Sequence, residues 1–238
     1  MKLACASGSF HRDIESGELT QLEFLDLCAR ELACDGVVLD VRHFPRTDYD
    51  YLAQVKKMAT DRGLTIAALA DPEFFAAPQE HVTGVLDRAI ALGAPIVAAP
   101  LALQTEFSWT DQLARLGAAT SLAKEHNVTL ALRNAAGTFA ATTHDCKRVA
   151  KEADSAWLRF GPQPQAFDVA SDPRLLASNT VLLWSDAGSE SARSIANTLA
   201  LFSDFRGHVA FDESTGEATA AQVAQMVRRW RNAILDRK

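Results

Sequence analysis

Eight short apolar runs, each followed by a stretch with helical spacing, recur along the whole chain. They are Lys2–Ala6, the first half of Gly36–Pro45, Leu64–Ala70, Ala94–Ala99, Val128–Leu132, Ala156–Phe160, Thr180–Trp184 and Gly207–Phe211. Most lack the apolar–polar alternation of a half-exposed strand, so they read as strands buried on both faces. The stretches between them carry helix signals. Thr20-x-x-Glu23 and Thr219-x-x-Gln222 are capping boxes, Ser108 caps a helix running to Asn127, Ser189 caps one running to Phe205, and Gly63 and Gly93 stand at helix stops. Between the sixth and seventh strands only a short helical turn near Pro173–Ala177 is expected. Strands alternating with helices imply parallel pairing and right-handed crossovers. Eight such units close into a barrel, although an open doubly wound sheet fits the alternation as well.

Composition narrows the class. A length of 238 residues with 48% hydrophobic and 23% charged residues provides a large core and argues against disorder. No linker or low-complexity tract interrupts it, so residues 1–238 read as a single domain. The net charge is −6, and the cations Arg228, Arg229, Arg231, Arg237 and Lys238 gather only in the last helix, where they meet its dipole. A nucleic-acid partner needs a basic face and is not expected. Cys5, Cys28, Cys34 and Cys146 form no CxxC pair, and Cys5 and Cys28, in apolar contexts, read as buried free thiols of a reducing compartment. No signal region or membrane-length apolar run is visible, so a cytoplasmic protein is expected, without membrane contact. Apolar helix faces would allow a homodimer.

In a parallel α/β barrel the active site lies at the C-terminal ends of the strands. Those ends supply Ser7, His11, Asp40, Arg42, His43, Asp71, Glu73, Arg133, Asn134, Gln163, Gln165, Trp184, Asp186, Asp212 and Glu213. Asp40, Arg42 and His43 fall within four positions after the second strand. Histidine titrates near neutral pH and suits acid/base work, while a guanidinium suits a carboxylate or phosphate. The plainer alternative has Asp40 and Arg42 bracing the loop before Pro45. His81, His126, His144 and His208 fall on helices or at strand starts and read as surface residues.

Gly36-Val37-Val38-Leu39-Asp40-Val41-Arg42-His43-Phe44-Pro45 resembles a stretch of the xylose isomerase-like TIM barrels, more narrowly the sugar phosphate isomerase/epimerase group. Ser9-Phe10-His11, Ala91-Leu92-Gly93-Ala94-Pro95 and Val128-Thr129-Leu130-Ala131-Leu132-Arg133-Asn134 carry further likeness. The resemblance implies a (β/α)8 TIM barrel and an isomerase or epimerase acting on a small carbohydrate. It also implies one divalent metal, held by a Glu after strand five, an Asp after strand six, a His near strand seven and a Glu after strand eight.

This sequence departs from that set. Arg133 stands where the first Glu is expected, Gln163 falls near the strand-six position, strand seven ends in Trp184 without a histidine, and only Asp212, beside Glu213, keeps an acid. Val38 replaces the Glu often seen in strand two. A guanidinium cannot ligate a metal and stays protonated. The expectation is therefore no metal cofactor (manganese or magnesium only if Gln163, Asp186 and Glu213 rearrange into a site). Arg133 would take over the metal's charge, paired with Asp212. His43, Asp40 and Asp212 are the candidate catalytic residues. His11, Arg42, Arg133, Asn134, Gln163, Trp184, Asp186 and Glu213 are candidates for binding a carbohydrate or sugar acid, Trp184 as a stacking platform. The alternative is a non-catalytic barrel holding an anionic metabolite through Arg42 and Arg133. A DNA-cleaving relative of the fold needs metal ligands and a basic groove, and neither is visible.

Overall fold

Strands form at all eight expected places in the computed structural model, which describes residues 1–188, 190–213 and 215–237. They are β1 (Lys2–Ala6), β2 (Gly36–Asp40), β3 (Thr65–Ala70), β4 (Ile96–Pro100), β5 (Thr129–Arg133), β6 (Leu158–Phe160), β7 (Leu182–Asp186) and β8 (His208–Asp212). Helices α1 (His11–Ser16) and α2 (Gln21–Arg30) follow β1, and α3 (Tyr49–Asp61), α4 (Gln79–Leu92), α5 (Trp109–His126) and α6 (Thr143–Ala153) follow β2 to β5. A 3-10 helix, Pro173–Asn179, follows β6, while α7 (Ala192–Leu201) and α8 (Ala220–Leu235) follow β7 and β8.

All neighbours pair in parallel, in the order β6-β5-β4-β3-β2-β1-β8-β7. At the remaining seam the Val181 N–H donates to the Phe160 carbonyl at 2.9 Å and the Trp184 N–H to the Pro162 carbonyl at 2.9 Å. These bonds bring the two edges together and close the barrel, settling the choice against an open sheet.

Both expected capping boxes form, at Thr20/Glu23 and Thr219/Gln222, and a third forms at Thr142/Asp145. Ser189, expected to cap the seventh helix, lies outside the described residues; Ser191 accepts from the Ser194 N–H and caps α7. One further expectation changes. The seventh strand runs from Leu182 to Asp186 and not from Thr180 to Trp184, because Thr180 still closes the preceding 3-10 helix, its N–H bonded to the Ala177 carbonyl. After β1 a 3-10 turn, Ser7–Phe10, runs into α1, which Gly17 ends at φ +79°. That turn matters because it fixes where Ser7 and His11 point.

Strand alternation sorts the side chains into two cores. Outward residues such as Leu3, Cys5, Val37, Leu39 and Phe211 pack against the helices. Inside the barrel the cluster is Ala4, Ala6, Val38, Ala67, Ala68, Ala98, Ala131, Leu182, Trp184 and Ala210. Small side chains leave the axis open, and the Trp184 indole fills it. All four cysteines are buried and unbridged. Burial pushes the Cys146 thiol up to about 12.

His126 and His208 are not surface residues. The His126 ring, 16% exposed, bonds to the Leu122 carbonyl and faces Asp87. His208 packs against Gly36 at the barrel base, and burial lowers its pKa. Among the described residues no helix is long and apolar enough to cross a membrane.

Candidate active site at the barrel mouth

A cleft of about 470 Å³ opens at the C-terminal ends of the strands. Its floor is apolar, made by Ala6, Val38, Ala70, Ala98 and Trp184. Its polar rim includes His11, Asp40, Arg42, Asp71, Arg133, Asn134, Gln163, Asp212 and Glu213. Eight of the eleven residues singled out from the sequence for site roles are in that rim, and Trp184 is in the floor. His43 and Asp186 do not line the cleft.

Arg133, the last residue of β5, reaches across the mouth. Its Nη1 donates to Asp212 Oδ2 at the end of β8 at 2.7 Å, and its Nη2 donates to Gln163 Oε1 at 3.1 Å. The guanidinium carbon lies 4.2 Å from the centre of the Trp184 ring. The ion pair expected between Arg133 and Asp212 is therefore present, and it is largely sheltered, with the two side chains 24% and 15% exposed. Asn134 holds the acceptor in place: the Gln163 N–H donates to Asn134 Oδ1 at 2.7 Å, and Asn134 Nδ2 donates back to the Gln163 carbonyl. Trp184 is only 1% exposed, with its indole in the alanine-lined interior and Arg133 over its face. It supports the guanidinium from below; no ring face is left for a sugar to stack on.

Asp40 and Arg42 form a forked pair. Arg42 Nε donates to Oδ1 at 3.0 Å and Nη2 to Oδ2 at 2.7 Å, while the Arg42 N–H caps the same carboxylate at 2.9 Å. The bond to Asp40 raises the pKa of Arg42 further. This is the loop brace, yet Arg42 remains half-exposed at the rim. Burial works against charge on Glu213, but Thr215 and the backbone N–H groups of Gly216 and Glu217 outweigh it and hold the carboxyl low. That carboxylate caps the loop after β8, with Thr215 Oγ1 at 2.5 Å. Asp186 accepts from the Gly188 N–H at 2.6 Å.

His43 sits behind His11, 4% exposed. Its Nε2 lies 2.8 Å from His11 Nδ1 and its Nδ1 lies 2.8 Å from Ser7 Oγ. Burial is the main reason its pKa is lowered, with Asp40 opposing and His11 and Arg42 adding to the effect. Any acid/base work by His43 has to pass through His11.

Two polar groupings escaped the sequence reading. Asp71, buried at the end of β3, accepts from the Glu73 N–H and lies 2.7 Å from His81 Nε2 on α4. Ten residues separate the pair, and no local spacing signals it. Glu190 is a buried carboxylate behind β7. It is bonded to the Ser185 hydroxyl and the Gln165 amide, to Ser194 Oγ at 2.9 Å and to Trp230 Nε1 at 3.1 Å. These partners converge from separate parts of the chain.

The sequence of residues 28–170 matches the model of the xylose isomerase-like TIM barrel family. The chain belongs to that family. Similar solved structures include a probable 3-DHS dehydratase from Bacillus anthracis, with TM-score 0.78 and 13% identity over 100% of both chains. An L-ribulose 3-epimerase has TM-score 0.74 and 16% identity, over 99% of this chain and 96% of that one. D-allulose 3-epimerase from Methylomonas sp. has TM-score 0.75 and 10% identity, over 100% and 97%. Identities this low establish a shared fold. No curated protein matches the sequence.

The divalent metal that the family resemblance implies does not fit the residues present here. Its expected place is crossed by a cation, Arg133, which already occupies Asp212 Oδ2 and Gln163 Oε1. Among the described residues no three His, Cys, Asp or Glu side chains converge on a common point. A second positive charge would meet the guanidinium before it met a ligand set.

Proposed function

We propose that the cleft takes a small carbohydrate or sugar acid and that Arg133 supplies there the positive charge which a divalent metal supplies elsewhere in the family. The reading is carried by one observation, the Arg133–Asp212–Gln163 network spanning the mouth. The relatives named as acting on L-ribulose and D-allulose support it at the level of fold, and a cleft of about 470 Å³ suits a monosaccharide. A guanidinium bound on two sides still has N–H groups to offer, and the paired carboxylates offer acceptors. Such a surface suits a ligand rich in hydroxyls. The chemistry proposed for it removes a proton from a carbon beside a carbonyl and returns one to the neighbouring carbon (isomerase) or to the same carbon on its other face (epimerase), with an oxyanion stabilised beside a fixed cation.

The alternative, a non-catalytic barrel that holds an anionic metabolite, has two rim arginines in its favour. Each already donates to an aspartate at 2.7 Å.

Elemental analysis of protein purified without chelators tests the metal half of the proposal, together with melting curves in manganese, magnesium, cobalt and zinc. The expected result is no stoichiometric metal and no metal-dependent rise in wild-type melting temperature. A bound metal, or a clear rise, overturns it. Titration with D-allulose, L-ribulose, a sugar acid and a sugar phosphate tests the ligand half, on wild type beside Arg133→Glu. Binding of a neutral sugar that is lost in Arg133→Glu supports the reading, and binding confined to the sugar acid and the phosphate supports the alternative.

A further inference from the structure

Four polar groups stand in series beside the cleft. The Ser7 hydroxyl accepts the Asp40 N–H at 2.9 Å and lies 2.8 Å from His43 Nδ1. His43 Nε2 lies 2.8 Å from His11 Nδ1, and His11 Nε2 lies 3.3 Å from Glu15 on α1. Ser7 is fully buried and His43 nearly so, the His11 side chain is 28% exposed, and Glu15 faces solvent. The line therefore runs from the interior of the barrel wall to its rim, and His11 is its member in the cleft lining.

We infer that His11 is the proton-exchanging group of this cleft, and that His43 and Ser7 are positioning residues that set which of its nitrogens carries the proton. The inference rests on the cleft being the ligand site.

The donors and acceptors can be assigned in two ways. In one, the Ser7 O–H donates to His43 Nδ1, His43 Nε2–H donates to His11 Nδ1, and His11 holds its proton on Nε2. In the other, His11 Nδ1–H donates to His43 Nε2, His43 Nδ1–H donates to Ser7 Oγ, and His11 Nε2 is bare. The two assignments contain the same number of protons, but only the first lets His11 Nε2–H donate to Glu15, while the second turns a bare nitrogen toward that carboxylate. The first presents an acid to the cleft and the second a base. An enzyme that removes a proton and returns it needs both.

With Nε2 bare, a proton leaves a ligand hydroxyl or the carbon beside a ligand carbonyl and forms the new N–H bond. The electron pair of the broken bond stays on the ligand as an alkoxide or enediolate. The imidazolium then shares its positive charge with His43 through the Nδ1–H bond. Glu15 on α1 and Asp40 at the end of β2 face that charge and favour it, while Arg42 opposes it. The loop after β8 holds His11 from the other side. Gly216 has φ +71°, and a Cβ there would lie 2.7 Å from the His11 Cβ, while the Arg12 N–H donates to the Gly216 carbonyl at 3.2 Å.

Nitrogen-15 NMR of the imidazoles in the full chain tests the arrangement without a ligand. The His11 and His43 rings are expected to change protonation in one coupled step, and Ser7→Ala is expected to change the preferred tautomer of both. His43→Gln should move the His11 ring resonances and leave those of His144 where they were. Independent titrations, or tautomers untouched by Ser7→Ala, overturn the proposal. Exchange of carbon-bound hydrogen in D-allulose and L-ribulose incubated in heavy water tests the transfer itself. His11→Gln should lower the rate by about 10²-fold or more, the scale of a lost acid/base group. Unchanged exchange in that variant overturns the role of His11. Wild type that exchanges neither ketose while the two rings still titrate together overturns the ketose reading of the cleft and leaves the coupled pair supported.

Discussion

Replacing Arg133 with methionine removes a charge but keeps much of the volume over Trp184. The Asp212 carboxylate, only 15% exposed in side chain, then loses its cation, and Gln163 Oε1 loses its donor. Truncating one partner of a fully buried ion pair costs about 3–5 kcal/mol. Arg133 is about one quarter open to solvent, and water entering from the cleft recovers part of that. A loss of about 2–3 kcal/mol is therefore expected, which for a chain of this length lowers the melting temperature by about 4–12 °C. Urea denaturation followed by circular dichroism measures the loss, and Asp212→Asn completes a double-mutant cycle. The double variant should be more stable than the summed single losses imply, by about 1 kcal/mol or more, because a neutral amide at the end of β8 no longer needs a cation. An Arg133→Met protein within about 0.5 kcal/mol of wild type, or strict additivity in the cycle, would refute the claim that this pair spans a sheltered mouth.

Glu190→Ala should be destabilising by about 2–4 kcal/mol in chemical denaturation, since Ser185, Gln165 and Trp230 Nε1 lose a common buried acceptor. Burial lowers the pKa of both His43 and His208, so the unfolded chain binds protons there that the folded chain refuses. Stability is therefore fully present above the unfolded value near pH 6.5 and falls as pH drops below it; the His43→Gln variant should show a shallower fall in melting temperature between about pH 7 and 5. Gly216→Ala forces a left-handed residue to carry a side chain against His11. A loss of about 1–2 kcal/mol is expected, with displaced His11 resonances and little change at His144.

Strand and helix positions were readable because burial on two faces and the capping boxes are local signals. The Ser7–Phe10 turn was missed, since its residues have no apolar period and its geometry follows from Ser7 bonding to the Asp40 N–H, 33 residues away. The Arg133–Asp212 pair was legible for a different reason. A cation placed at one strand end of a barrel needs an anion, and Asp212 was the acid left at the mouth by the family pattern. Trp184 shows the limit of that logic: it stands in the middle of β7 and not at the strand end expected for it, and whether the indole faces up into the cleft or inward depends on neighbours across the barrel. Those neighbours are alanines, and no single strand reveals that they face one another. His43 failed similarly, because the residue that screens it, His11, arrives from a different strand.

The alanine-lined interior also bears on how such a site changes over time. With Ala4, Ala6, Ala67, Ala68, Ala98, Ala131 and Ala210 forming the wall, one indole decides how deep the cleft reaches. In a barrel filled by layered valines and isoleucines, deepening the pocket takes several coordinated replacements. Here a single codon governs both the depth of the floor and the platform under Arg133. Ligand size and the charge at the mouth are thus inherited together, and a lineage that alters one must alter the other in the same step.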